Sequence, residues 1–182
     1  MTVGIVMLVH EALGRAEQVA RHWANHGCPV VIHVDRQVKR ADYDGFVESL
    51  ADLSEVKFCK RRRCEWGTWS LVAASQCGAE MMLASFAKVR HVYLASGSCM
   101  PLRPVDELVD YLDERPKTDF IESVTTDEVF WTVGGFDAER FTLRFPFSWK
   151  RSKYLFDKYV RFQRRLHLQR KIPEGIVPHL GS

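Results

Sequence analysis

The chain has 182 residues, of which 46% are hydrophobic and 27% charged, and its formal net charge is +3. This length and composition are typical of one globular domain with a substantial core, and no apolar run reaches the roughly 20 residues needed to span a bilayer. The five cysteines are odd in number and form no CxxC pair, which argues against a disulfide framework or a zinc site and indicates a reducing cytoplasm.

The first part of the chain has the pattern of a strand–helix–strand unit. Residues 3–9 form a continuous apolar run, a helical pattern follows to about residue 25, and a second apolar strand covers residues 29–35. Two such strands in about 35 residues predict a parallel sheet, in which ligands bind at the carboxyl ends of the strands. This places His10 and Asp35 in the expected crevice, although the first turn lacks a G-x-G-x-x-G motif.

Two interpretations of Asp35 stay open, because a carboxylate accepts hydrogen bonds from many donors. It could bind a ribose or the edge of a base, or it could simply cap the turn after its strand. His33 alternates onto the same face of the strand, where a buried, hydrogen-bonded histidine is favoured over a ligand-binding one.

A basic and aromatic segment follows a surface helix at residues 42–52 and a short strand at 56–59. It opens with Arg62 and Arg63, turns at Gly67, and becomes an apolar helix with Ser70 as the predicted N-cap. A helix start exposes N–H groups and the positive end of a dipole, so the segment suits an anion such as a diphosphate. The alternative is that its tryptophans are core residues and its arginines form a solvated face.

Further strands are predicted at residues 91–95, 119–122 and 140–147, with a short helix at 104–112. Gly97 directly after a buried strand would allow a ligand to approach the backbone closely. Residues 150–171 are predicted to form a basic amphipathic helix, since residues 140–171 hold eleven Lys and Arg against one acid, Asp157. Such a helix could serve a nucleic-acid-binding module, for which binding would depend steeply on salt.

The predicted fold is therefore one α/β unit over residues 1–182, a Rossmann-type, mostly parallel sheet flanked by helices. The last residues, KIPEGIVPHLGS, contain prolines and glycines but almost no core. A chain that ends in this way is expected to be truncated at its C-terminus.

Five fragments resemble, in their order and spacing, one known family. They are HVD at Asp35, RRCEWGTWSLVAA, YLASGSCMPLRP, DFIES and RKIPEGIVPHLGS. The chain resembles the core-2/I-branching β-1,6-N-acetylglucosaminyltransferase and peptide O-xylosyltransferase family (glycosyltransferase family 14). The resemblance implies a GT-A-like fold, a UDP-sugar donor, inversion at the anomeric carbon and no requirement for a metal.

The resemblance also implies roles for individual residues. Glu122 matches the catalytic glutamate of the N-acetylglucosaminyltransferases, and Asp127 matches the aspartate base of the xylosyltransferases. The residues that match the surroundings of the donor are Val9, His10, Asp35, Arg63, Trp66, Gly67, Ser70, Ser96 and Gly97. Ser96 and Gly97 begin the loop that replaces the metal-binding DxD of other GT-A enzymes.

Two departures from the family pattern bear on activity. The family usually has S-G-x-D-x-P where this chain carries Cys99 in place of the aspartate. Family members also supply diphosphate-binding basic residues from a segment that follows the position of Ser182. Whether the chain alone is active therefore stays open.

The sequence thus predicts an inverting, metal-independent transferase of GlcNAc or xylose that acts on a glycan or peptide hydroxyl, with no cofactor besides its UDP-sugar substrate. A non-catalytic nucleotide-sugar-binding fragment is the first alternative, and the basic nucleic-acid-binding module is the second. A cytoplasmic location is expected, with peripheral contact to a membrane left open and no nucleic acid partner.

Overall fold

The computed structural model describes residues 2–65, 67–126, 139–147, 149 and 151–180. The chain divides into two compact units, Met1–Thr118 and Asp119–Ser182. Each unit has its own secondary structure and its own buried residues. The expectation of a single domain stays a prediction.

The first unit is a four-stranded, fully parallel sheet flanked by helices. Its strands, in sheet order, are β3 (Val56–Phe58), β2 (Val30–Val34), β1 (Thr2–Val9) and β4 (Val89–Ser96). Its helices are α1 (Leu13–Asn25), α2 (Arg40–Ser49), α3 (Trp69–Ser85) and α4 (Val105–Asp113). This confirms the predicted α/β, GT-A-like fold.

The order of the strands indicates the edge of the sheet at which a ligand would bind. From β1 the chain steps outward through β2 to β3, and then crosses to β4 on the opposite side of β1. The connection that follows β1 therefore leads away from β4, and the carboxyl ends of β1 and β4 form the switch point of the sheet. In open parallel sheets, ligands occupy the crevice at such a switch point.

Both faces of the central strands are buried, which explains why their sequences are apolar without alternation. One face packs against α1, α2 and α4, with Ile5, Met7 and Ile32 at its centre. The other face packs against α3, where Val6, Val31 and Met82 belong to one buried cluster. Successive residues of one strand thus serve two different cores.

Two glycines allow α3 to lie close to the sheet. A Cβ at Gly78 of α3 would be 2.5 Å from the Cγ1 atom of Val6, and a Cβ at Gly4 of β1 would be 2.6 Å from the sulfur of Met82. Real Cβ atoms do not approach other heavy atoms so closely, so no side chain fits at either position without movement of the neighbour.

The second unit contains short elements. These are β5 (Val124–Thr125), α5 (Glu139–Thr142), α6 (Lys153–Arg165) and β6 (His179–Leu180), with β5 and β6 antiparallel. Gln163 of α6 is buried, and its amide accepts a hydrogen bond from Arg144 N at 3.0 Å and donates one to Arg144 O at 2.9 Å. Among the described residues, no helix is both long and apolar enough to cross a membrane.

Two predicted strands are wrong. Residues 119–122 have no regular structure, and Phe120 and Ile121 are 49% and 77% exposed, so this apolar pair does not mark a buried strand. Residues 139–142 form α5 and the chain to residue 147 is irregular; only Leu143 of the alternating apolar residues there is buried. The basic helix is present as predicted, but it ends at Arg165.

Replacement of Gly78 by alanine tests the close approach of α3. The change gains about 0.8–1 kcal/mol of helix propensity but forces a clash with Val6, and overpacking typically costs about 1–3 kcal/mol. We expect net destabilisation by up to about 2 kcal/mol in urea unfolding. The matched control is Gly45→Ala in α2, where a Cβ meets nothing within 4 Å, and stabilisation by about 0.5–1 kcal/mol is expected. Equal stabilisation by both changes would contradict the packing.

Candidate functional site

The loops that follow β1, β2 and β4 meet at the carboxyl edge of the sheet. Asp35 N donates a hydrogen bond to Val9 O at 2.8 Å, which ties the end of β2 to the end of β1. Gly97 N donates to Leu8 O at 3.1 Å, which ties the end of β4 to the other side of β1. The residues predicted at these strand ends are thus brought together, although the side chain of Val9 itself is buried.

A polar cleft of about 460 Å³ lies between the loops after β1 and β2. This volume is within the range of small-molecule sites. The residues that line the cleft are His10, Glu11, Ala12, Leu13, Gln37, Val38, Lys39 and Asp42. His10 therefore lies where it was predicted, with its Nε2 atom 3.5 Å from the carboxylate of Glu11. Apart from their position just after Asp35, no sequence signal pointed to Gln37, Lys39 and Asp42.

One residue in the wall of the cleft, Ala12, has a left-handed backbone conformation. Ala12 has φ 49° and ψ 48°, a conformation that costs an L-residue other than glycine roughly 1–2 kcal/mol. Its carbonyl accepts hydrogen bonds from Arg15 N and Ala16 N, so this residue is the N-cap of α1. The first turn of α1 therefore depends on a backbone conformation that its residue type disfavours.

Asp35 is 4% exposed, and both oxygens of its carboxylate accept hydrogen bonds. Oδ1 accepts from Gln37 N at 2.7 Å, within the turn after β2. Oδ2 accepts from Cys64 N at 3.0 Å, in the segment after β3. The carboxylate thus makes the contacts of a turn cap and also fastens a second segment, while a contact with a ribose or base stays a prediction.

His33 is 1% exposed and fastens the same segment two residues earlier. Its Nε2 atom accepts a hydrogen bond from Arg62 N at 3.0 Å, which requires that Nε2 carry no proton. Burial lowers the pKa of His33, and the nearby charges of Arg62 and Arg61 lower it too, against the opposing effect of Asp35. The interpretation of His33 as a buried, hydrogen-bonded residue is confirmed.

Arg61 is an anchoring residue that sequence reasoning missed. Its Nη2 atom donates to the carbonyls of Asp35, at 2.8 Å, and Val38, at 2.5 Å. Its guanidinium also lies 4.4 Å from the ring centroid of Tyr43. Arg62 and Arg63, by contrast, are exposed. Of the three consecutive arginines, the side chains of Arg62 and Arg63 are therefore more accessible to an anion than that of Arg61.

The start of α3 differs from the prediction, because Thr68 and not Ser70 is the N-cap. Thr68 Oγ1 accepts from Ser70 N at 3.3 Å. Ser70 Oγ instead accepts from Glu65 N at 2.8 Å, so this hydroxyl closes the preceding loop. Gly67 has φ +77°, which favours glycine and confirms the predicted turn. Trp66 lies outside the described residues.

The glycine after β4 serves packing within the protein. A Cβ at Gly97 would be 2.9 Å from Cγ2 of Val9 and 3.2 Å from Cβ of Ala16. Packing alone therefore accounts for this glycine, and close approach of a ligand to its backbone stays a prediction. Ser96 is exposed, and its hydroxyl lies 3.0 Å from the sulfur of Cys99.

A second cavity, of about 590 Å³, is lined mainly by the segment after β4 and by α4. Its lining is mainly apolar and aromatic and includes Trp23, Tyr93 and Tyr111, with Cys99 also in the wall. Within the described ranges, no group of three or more His, Cys, Asp or Glu side chains is arranged to hold a metal ion.

The predicted catalytic residues belong to the second unit. Glu122 is exposed in the irregular stretch before β5, so its predicted position at the end of a strand is wrong. Asp127 lies outside the described residues. The predicted donor-binding residues, in contrast, all belong to the first unit.

Comparison with known protein families accounts for most of the chain. The family model described as Core-2/I-branching enzyme matches residues 6–161. The matched range covers the parallel sheet from Val6 onward, the polar cleft, the segment after β3 and most of the second unit. No curated protein matches the chain.

Replacement of Asp35 by alanine tests its structural role. The N–H groups of Gln37 and Cys64 would lose their acceptor, and we expect destabilisation by roughly 2–4 kcal/mol in urea unfolding. Asp42→Ala is the matched control, since this exposed aspartate lines the same cleft and contributes at most about 0.3–1 kcal/mol through the dipole of α2. Similar small effects of both changes would show that the Asp35 hydrogen bonds do not support the fold.

Proposed function

The chain belongs to the Core-2/I-branching enzyme family, a family of glycosyltransferases, and from this premise we propose that it is an inverting, metal-independent, UDP-sugar-dependent transferase. It moves GlcNAc or xylose to a hydroxyl group of a glycan or peptide acceptor. The observation that carries the proposal is the family match over residues 6–161, which includes a polar cleft at the carboxyl ends of β1 and β2. Nucleotides bind at this edge of parallel sheets.

The nucleoside of the donor occupies the polar cleft. His10 and Lys39 offer donors, and Gln37 and Asp42 offer acceptors, to the edge of uracil and the ribose hydroxyls. The volume of about 460 Å³ is sufficient for a nucleoside. Asp35 supports this cleft from below through its hydrogen bond to Gln37 N.

The diphosphate is bound by protein cations. Arg62 and Arg63 are exposed in the segment that His33 and Asp35 hold against the end of β2. Guanidinium groups bind phosphate oxygens with charge-assisted hydrogen bonds, which are roughly twice as strong as neutral ones. The loop after β4 carries Ser96, Gly97, Ser98 and Cys99 and contains no carboxylate for a metal. Arginine side chains and N–H groups therefore stabilise the charge that develops on the leaving diphosphate.

The reaction is a single in-line displacement. A carboxylate removes the proton of the acceptor hydroxyl as its oxygen forms a bond to the anomeric carbon. The bond from that carbon to the diphosphate oxygen breaks, and UDP leaves with the electron pair, which inverts the configuration. Glu122 is the proposed base because it matches the catalytic glutamate of the family, and Asp127 is the second candidate. A positioned base contributes typically about 10²–10⁴-fold.

Donor binding and turnover in EDTA test the proposal. We expect UDP-GlcNAc or UDP-xylose, but not ADP-glucose, to bind in calorimetry and to be consumed with an acceptor glycan equally well with and without EDTA. Binding without turnover in either condition would favour the non-catalytic nucleotide-sugar-binding fragment. Activity that is lost in EDTA and restored by manganese would contradict the metal-independent mechanism.

Replacement of Glu122 by glutamine tests the base. The amide keeps the shape of the side chain but cannot take the proton, so we expect kcat to fall on the order of 10²-fold or more with donor affinity unchanged. Asp127→Asn is the comparison variant, for which a mild effect is expected. The reverse pattern would identify Asp127 as the base, and full activity of both variants would remove both from the mechanism.

A further inference from the structure

The backbone of Arg62 is held from two sides by the end of β2 and the turn after it. Its N–H donates to Nε2 of His33 at 3.0 Å, and its carbonyl accepts from Arg36 N at 2.9 Å. His33 is buried beneath the segment, whereas the side chains of Arg62 and Arg63 are exposed. The imidazole therefore acts on the part of the chain that presents these two cations, without being accessible itself.

We propose that His33 is a positioning residue for diphosphate binding, and that only its unprotonated Nε2 holds Arg62 and Arg63 in the binding geometry. This inference rests on the proposed function, because it assigns a diphosphate to these arginines. His33 does not touch the ligand. It acts through the backbone hydrogen bond to Arg62 N.

Protonation of His33 would convert this contact from an attraction into a repulsion. A protonated imidazole has N–H groups on both nitrogens, so Nε2–H would point at Arg62 N–H. The charged groups near His33 are Asp35, directly after β2, and the two cations Arg61 and Arg62 from the segment after β3. The carboxylate of Asp35 already accepts from Gln37 N and Cys64 N, and the two arginines repel the imidazolium.

The pH range follows from the sign of the shift. Burial lowers the pKa of His33 below its ordinary value of about 6.5. A group whose folded pKa is depressed in this way favours the folded state when it is neutral. Its contribution is fully present above about pH 6.5 and is lost as the pH falls through the lower folded pKa.

The direction of the effect separates positioning from simple electrostatics. A new positive charge near a diphosphate should strengthen binding by Coulomb attraction. Release of Arg62 should weaken binding instead. A fall of affinity at low pH that depends on His33 is therefore the result expected if His33 positions Arg62.

The experiment is calorimetric titration with UDP-GlcNAc from about pH 8 down to the lowest pH at which circular dichroism shows that the wild type is folded. The diphosphate diester of this probe keeps its charge over the range, so the titration reports the protein. The variants are His33→Gln, whose amide oxygen can accept from Arg62 N but does not titrate, and His33→Phe, which has no acceptor. His26→Gln is the control, since His26 is exposed and bonds to His22 O in α1.

Each variant has a distinct expected result. Wild type and His26→Gln should lose about tenfold in affinity as the pH falls, whereas His33→Gln should change little. His33→Phe should bind about tenfold more weakly throughout, with faster hydrogen exchange at the Arg62 amide. If His33→Phe does not fold, the comparison between wild type and His33→Gln still decides.

Three outcomes would count against the inference. Superimposed pH profiles of wild type and His33→Gln would overturn it, as would affinity that rises at low pH. Undiminished protection of the Arg62 amide in folded His33→Phe would also overturn it. Absence of binding of both UDP-GlcNAc and UDP-xylose by wild type at every pH would instead refute the proposed function on which it rests.

Discussion

The candidate site depends on two buried acceptors at the end of one strand. His33 and Asp35 emerge from β2 on the same side, and they accept the N–H groups of Arg62 and Cys64. An N–H that is shielded from water and left without a partner costs about 1–3 kcal/mol, so these acceptors determine the path of the chain after β3. The positions of the exposed arginines and of the loop leading into α3 follow from that path.

The sheet supplies the complementary half of the site. Because β4 lies beside β1, the loops after both strands face each other across the switch point, and hydrogen bonds from Asp35 N and Gly97 N fix both neighbours to β1. The polar cleft opens beside this junction, on the loops that follow β1 and β2. The cations and the cleft therefore both rest on the end of β2, where His33 and the adjoining Asp35 hold the chain.

Much of the fold could be predicted from the sequence, because buried parallel strands are continuous apolar runs and the intervening helices are amphipathic. His10 could also be placed in the cleft, since a residue after such a strand has few other locations. The sequence could not show which arginine of a basic run turns inward, because Arg61 is selected by carbonyls and a ring that come from α2 and the turn before it. Nor could it decide between Thr68 and Ser70 as the cap, since both hydroxyls could accept and the loop at Glu65 recruits the second. Phe120 and Ile121 misled the strand prediction because apolar character alone does not create a partner strand.

The left-handed backbone conformation of Ala12, the N-cap of α1, affects how the cleft binds a ligand. A glycine at position 12 would relieve the backbone but would sample many conformations, whereas alanine in this position has few alternatives once the hydrogen bonds from Arg15 N and Ala16 N hold its carbonyl. One wall of the cleft is thus preorganised, and a molecule that enters does not have to order it. A preorganised wall of this kind strengthens binding, because less conformational entropy is lost when the ligand binds. It also makes affinity depend on how well the shape of the ligand fits the cleft.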